Sequence, residues 1–181
     1  MGLHPIRVRM LAILAACVPM CAGQDILALV NEARTDPAGF AERYIKPHGG
    51  ASAAECYRVM TKMRPMGALL ESEVLRRSSA AHAADMGRHG RLGHVGTDGS
   101  NLPARIERYG RWSGAIAENC TYGIEGAAEV VAHLLIDDGV ADRGHRHNLL
   151  NGRFRYVGIA VAAHKTYGTN CVQDFAESVT P

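Results

Sequence analysis

Cysteine, net charge and long apolar runs are all scarce in this sequence, and each shortage excludes something. Five cysteines are spread over 181 residues, and two of them, Cys17 and Cys21, fall within the first 23. The other three, Cys56, Cys120 and Cys171, can form one disulfide with one thiol left over, so a disulfide framework cannot hold the fold. The sequence does not choose the pair. Beyond residue 23, loss of Arg7 and Arg9 takes lysine plus arginine from 20 to 18, equal to the 18 acids. That balance gives no reason to expect nucleic acid or an anionic membrane as a partner. The apolar run Met10 to Val18 is too short to span a bilayer, which needs about 20 residues. Several catalytic signatures are also missing. There is no Gly-x-Ser-x-Gly elbow, no His-Glu-x-x-His, and no glycine loop leading into Lys and Ser/Thr.

What is present begins with a leader. Arg7 and Arg9 precede the short apolar run, Pro19 breaks it, and Cys21-Ala22-Gly23 offers small residues for cleavage before Gln24. This is the pattern of a secretory signal, residues 1–23, removed on export. Leu14-Ala15-Ala16-Cys17 allows a second reading, a lipoprotein anchored through Cys17, and a retained anchor is a third. Residues 24–181 suit one domain with a full core, expected to act as a monomer.

The chain then alternates helical and extended patterns. Asp25 is placed to cap a helix through Ile26, Leu29, Val30 and Ala33, and Asp36-Pro37 starts another with Phe40 and Tyr44 on one face. Ala53 to Met63 reads as a short helix or as irregular chain. Glu71 to Gly87 is the clearest helix, capped by Ser72, with an alanine-rich face that lets another element approach closely. His82 and Asp85 lie one turn apart on it and read as a local pair or as a satisfied core polar group. Residues 87–100 form a glycine-punctuated loop, Asn101 to Tyr109 a short helix, Ile116 to Tyr122 a short, half-apolar segment between Gly114 and Gly123, and Ala127 to Leu135 a buried helix. Val157 to Ala163 and Thr169 to Ala176 flank a turn and read as an antiparallel hairpin whose first strand is covered on both faces. The pattern predicts an α+β layered domain without repeats or linkers.

The stretch Asp137 to Asn151 lies between the buried helix and that hairpin. It gathers Asp137, Asp138, Asp142, Arg143, His145, Arg146 and His147 in one loop. Loops rich in titratable groups and anchored in core elements are where function concentrates. His94, Glu118, Asp137 or Asp138, and His145 each fall at the edge of a core element. Two imidazoles and two carboxylates brought together can bind a divalent metal, with the acids orienting the rings, or can act as acid and base without one. Calcium suits such a nitrogen-rich set poorly. Cys171 lies within a strand and reads as structural. Asn119-Cys120-Thr121 fits a glycosylation sequon.

Taken in order, these pieces resemble the CAP superfamily (cysteine-rich secretory proteins, antigen five, pathogenesis-related proteins) in its bacterial secreted form. Val30-Asn31-Glu32-Ala33-Arg34 resembles the opening helix, and His94 the first histidine of the family's tetrad. Ala117-Glu118-Asn119 is similar to Gly-Glu-Asn, Gly144-His145-Arg146-x-Asn148-Leu149-Leu150 to Gly-His-Arg-x-Asn-Ile-Leu, and Val172-Gln173-Asp174-Phe175 to the closing strand. The resemblance implies a three-layer α-β-α sandwich around a central antiparallel sheet. It implies a cavity lined by His94, Glu118, Asp137 and His145, with Asp138 the alternative acid, and some members hold zinc or another divalent ion there. His94 and His145 would be the metal ligands.

Three functions follow as expectations. One is a secreted module binding a lipid, sterol or envelope component. A second is a zinc-dependent hydrolase with Glu118 as base. A third is a structural or interaction domain whose tetrad is only a polar network.

Overall fold

The strand at residues 156–164 is apolar or small at almost every position, which requires a neighbour on each face. A computed structural model, which describes residues 18–181, provides helices on both sides. In chain order the elements are α1 (Val18–Thr35), α2 (Pro37–Phe40), α3 (Gly50–Met60), β1 (Leu70–Glu71), α4 (Glu73–His89), α5 (Leu102–Ile106), β2 (Arg111–Tyr122), α6 (Ala127–Ile136), α7 (Gly144–Leu149), β3 (Tyr156–His164) and β4 (Gly168–Thr180). A π turn, Ala41–Ile45, and a 3-10 turn, Lys46–His48, connect α2 to α3.

The sheet runs β1-β3-β4-β2. β3, β4 and β2 pair antiparallel, and the two-residue β1 adds a parallel edge to β3. Side chains on β4 alternate between two cores. Cys171 and Phe175 join Ile26, Val30 and Val131 of α1 and α6 on one face. Val172 packs with Ala83 of α4 on the other, and Ala176 with Leu75 of α4 and Ile106 of α5. The result is an α+β sandwich of three layers. No helix among the described residues is long and apolar enough to cross a membrane.

The alanine face of α4 lies directly on β3. A Cβ built on Gly158 would come within 2.1 Å of the backbone of Leu75 and Arg76, and one on Gly87 within 2.0 Å of the Ala163 carbonyl oxygen. Glycine is therefore demanded here by helix-to-sheet contact. Ser72 caps α4, accepting from the Leu75 amide at 3.5 Å, and Asn101 caps α5, accepting from Ala104 at 3.1 Å.

Arg34 is the buried tie between α1 and the stretch after α7. Its guanidinium donates to the carbonyl oxygens of Gly67, Leu149, Asn151 and Phe154 at 2.8–3.3 Å. Four carbonyls from two separate loops converge on one planar fork, a geometry that lysine cannot reproduce.

Several local expectations need correction. Asp25 lies inside α1 and does not cap it, because nothing between Pro19 and Asp25 breaks a helix. The short segment from Ile116 belongs to a longer strand that begins five residues earlier, at Arg111. The chain passes Gly114 in a bulge between Ser113 and Ile116, with Gly114 at φ +79°, so that glycine bends the strand instead of ending it. The loop after Asp137 contains α7. Cys56, Cys120 and Cys171 are all free and buried. Cys120 and Cys171 sit on neighbouring strands but point into opposite cores, which prevents a bridge between them. Burial pushes the Cys56 thiol up to about 11 and that of Cys171 up to about 12, which leaves both inert. The leader and the Cys17 lipid reading lie outside the described residues, except that α1 begins at Val18, ahead of the expected cleavage after Gly23.

Gly158→Ala is expected to lower the unfolding free energy by about 3 kcal/mol, the upper end of ordinary overpacking, in urea melts with an unchanged m-value. A cost below about 1 kcal/mol would mean that α4 can lift off β3.

Candidate functional site

The site is built from two histidine–carboxylate pairs. In the first, Glu118 on β2 is buried and accepts from the His94 ring, with Nδ1 and Oε1 2.8 Å apart. Its second oxygen accepts from an Nη of Arg105 on α5, a side chain as buried as its own. Burial works to raise the Glu118 carboxyl. The His94 hydrogen bond and the Arg105 charge outweigh it and hold the group below its ordinary range. Glu118 in turn raises the His94 imidazole.

The loop carrying His94 is fastened from three sides. His82 Nε2 lies 2.9 Å from the Gly93 carbonyl oxygen, and the Tyr122 hydroxyl accepts from the Gly93 amide at 2.9 Å. Asp85 accepts from the Thr97 amide and hydroxyl at 2.8 and 2.6 Å. Of the two readings their spacing allows, the local pair is not formed: His82 is a buried polar group on Gly93, and Asp85 holds Thr97. Burial lowers the His82 imidazole, which keeps it neutral. Asp174 stands directly across from Glu118 on β4 and is fully buried. Burial, then the Glu118 charge, pushes its carboxyl well up, so Asp174 is a neutral acid behind a charged one.

The second pair sits where α6 gives way to α7. Asp137 ends α6 in the left-handed region at φ +53°, and Arg143 precedes α7 at φ +52°. Two non-glycine residues in that region mark a strained connection. The turn brings Asp137 Oδ1 to within 2.7 Å of His145 Nδ1, while Oδ2 accepts from the amides of His145 and Arg146 at 2.9 and 3.4 Å. Asp137 thus caps α7, whose own preceding residue offers no side-chain cap. Arg146 closes the other side. It donates to the Leu135 and Ile136 carbonyls at 2.5 and 3.0 Å and makes a two-pronged pair with Glu55 at 2.7 and 2.8 Å. Asp138 turns away and accepts from Ser52 at 2.6 Å, which makes Asp137 the acid at this ring.

Asn119 and Asn148 join the two pairs. Asn119 Nδ2 donates to the His145 carbonyl at 3.2 Å, and Asn148 Nδ2 donates to Asn119 Oδ1 at 2.8 Å. Asn119 is fully buried, so its sequon is closed to modification in the folded chain.

Sequence reasoning singles out His94, Glu118, Asp137 and His145, and the fold sets each in one of these linked pairs. It does not single out Arg105, Asn119, Asn148, Tyr122 or Asp174. Asn119, Asn148 and Asp174 stand inside the family-like motifs, which is their one signal. Arg105 and Tyr122 act through contacts far apart in sequence and carry none.

Each of the two rings keeps one nitrogen that could serve as a ligand. Each ring has Nδ1 on a carboxylate, and neither Nε2 has a partner among the described residues. A carboxylate behind an imidazole is the arrangement that fixes the tautomer of a metal-binding histidine. A different trio, His82, Glu118 and Cys120, also has potential ligand atoms within 4.8 Å of one another and could hold a metal. Its chemistry is poorer. His82 Nε2 faces the Gly93 carbonyl, Glu118 is engaged on both oxygens, and burial pushes the Cys120 thiol well up.

Away from the pairs, two adjoining cavities flank the start of α3 and share Gly49, Gly50 and Ala53. One, of about 310 Å³, is walled by Ala54 and Tyr57 with Lys46 and Arg58 at its edge. The other, of about 290 Å³, reaches Ile124, Ile136 and Asp138.

Comparison with known proteins agrees with this architecture. No curated protein sequence matches the chain. Three bacterial structures share the fold. An outer surface protein from Borrelia burgdorferi superposes with a TM-score of 0.57 at 18% identity, over 87% of this chain and 96% of its own. An extracellular protein containing an SCP domain from Bacillus anthracis gives 0.57 at 18% identity, over 89% of this chain and 42% of its own. A cysteine-rich secretory protein from Staphylococcus aureus gives 0.58 at 13% identity, over 91% of this chain and 40% of its own. This chain thus spans less than half of the latter two. The profile of the cysteine-rich secretory protein family, CAP, matches residues 27–175, and the chain belongs to that family.

Proposed function

We propose that the protein is an exported binding module that holds a small apolar chain, with a divalent ion at His94 and His145 in an accessory role. The observation that carries this reading is the state of the two acids. All four carboxylate oxygens of Glu118 and Asp137 are engaged by rings, a guanidinium or backbone amides. A general base needs an oxygen aimed at a water, and these oxygens are turned to protein donors on side chains only 2% and 3% exposed. Two imidazoles are also one fewer than the three protein ligands usual in catalytic zinc sites. An ion bound there would act as a Lewis acid at the ring Nε2 atoms. The rings would bind and orient it, and the acids would fix the rings.

Export is supported by the leader, by the extracellular Bacillus anthracis relative and by the outer surface protein of Borrelia. The ligand is assigned to the cleft along α3. Its volume reaches the lower bound for small-molecule pockets, about 300 Å³, and its wall is built of Gly49, Gly50, Ala53, Ala54 and Tyr57. Arg58 at the rim has no ion-pair partner among the described residues and suits an acidic head group.

A fluorescent fatty-acyl probe should bind the purified protein saturably. Ala54→Trp, which fills the exposed cleft, should weaken it by about tenfold or more, the effect of losing one apolar contact region, at an unchanged melting temperature. Absence of saturable binding in the native protein would reject the cleft. Ester turnover that is lost in Glu118→Gln would favour the hydrolase instead.

The first pair also sets a pH dependence. His94 is raised in the folded state, so its contribution is complete below the ordinary imidazole value of about 6.5 and is lost as pH rises through the higher folded value. In metal-free protein, the stability gap between the native chain and His94→Gln should be full near about pH 6 and narrow towards about pH 9. A gap that widens with pH would contradict the pairing.

A further inference from the structure

Three segments meet beside His94: the end of α4, the loop after it and the β3–β4 turn. The Lys165 amide donates to the Gly87 carbonyl at 2.9 Å, and His164 Nε2 lies 2.9 Å from the Arg91 carbonyl oxygen. Gly90 lies against this turn, since a Cβ built on it would be 2.8 Å from the Thr166 hydroxyl. Tyr122, bonded to Gly93, packs its ring 6.3 Å from that of Tyr167. The three segments therefore form one fixed surface.

Its composition is unusual for this molecule. Leu92, Val95 and Tyr167 are 53%, 59% and 47% exposed, and Val59 and Leu70 are the only other large apolar side chains exposed among the described residues. Arg88, Arg91 and Lys165 come from the same three segments, are exposed, and have no ion-pair partner among the described residues. Asp85, the acid on this end of α4, is already held by Thr97 and by His89, 3.1 Å away. Exposed apolar tips with unpaired cations around them are suited to a surface that is anionic at its face and apolar beneath. A soluble polyanion would use the cations and leave the apolar side chains in water.

We propose that this face docks on the surface of an anionic lipid bilayer, with Leu92, Val95 and Tyr167 entering the interface and Arg88, Arg91 and Lys165 on the lipid phosphates. The near-zero charge of the whole chain does not oppose this, because screening limits each cation to its own neighbourhood of about 8–10 Å. Docking would present His94, which lies between Leu92 and Val95, to the membrane. The proposal goes beyond the cleft reading and does not depend on it.

The test is co-sedimentation of the full protein, in a Cys17→Ser background that removes any lipid anchor, with phosphatidylcholine vesicles with and without phosphatidylglycerol. Binding is expected with phosphatidylglycerol and to be weak without it. The variant Leu92→Ser/Val95→Ser/Tyr167→Ser and the variant Arg88→Gln/Arg91→Gln/Lys165→Gln should each bind about tenfold or more weakly, with unchanged circular dichroism. Failure to bind phosphatidylglycerol vesicles would overturn the proposal. So would binding that is lost in the charge variant alone, which would assign the face to a polyanion.

Discussion

One buried charge, the Glu118 carboxylate, organises the site end of this molecule. Arg105 and His94 engage its two oxygens, and a neutral Asp174 stands behind it on the next strand. Desolvating the Arg105–Glu118 pair costs free energy that the pairing offsets, so the pair is not a large net source of stability. Its value lies in what cannot be removed. Loss of either partner alone leaves a buried charge uncompensated, typically at about 3–5 kcal/mol. Arg105 extends the constraint, because its other nitrogen donates to the His94 and Ser100 carbonyls at 2.9 and 3.2 Å. The charge that fixes the His94 ring thus also fixes the loop that delivers it.

The second pair follows a different logic, that of backbone satisfaction. The connection from α6 to α7 is short, is strained at Asp137 and Arg143, and leaves backbone groups for side chains to satisfy. Asp137 satisfies the amides, Arg146 the end of α6, and Arg34 the carbonyls at the end of α7 and beyond it. Polar side chains therefore do here what regular hydrogen bonding does elsewhere. The loop is dense in charged residues because its backbone needs them. The outer nitrogen of the His145 ring has no structural partner among the described residues.

Much of this was legible in the sequence, for identifiable reasons. α4 was readable because Ser72 and the alanine spacing agree, and the β3–β4 hairpin because two apolar runs flank a short polar turn. His94, Glu118 and His145 were readable from ordered motifs. The errors share one cause, a residue with two permitted roles. Asp25 can cap a helix or ride inside one, and Gly114 can end a strand or bend it. The choice between Asp137 and Asp138 turned on a left-handed backbone that local pattern does not report. Arg105 and Tyr122 were invisible because their partners lie 13 and 29 residues away.

The central proposal is that His94 and His145 offer ligand nitrogens to an ion, while the acids serve to hold those rings. X-ray absorption on the zinc-loaded protein tests it most directly. The account predicts a shell of imidazole nitrogen and water oxygen at about 2.0–2.1 Å, with the histidine scattering abolished in His94→Ala/His145→Ala. A sulfur shell at about 2.3 Å would place the ion on Cys120 with His82 and Glu118, and would contradict it.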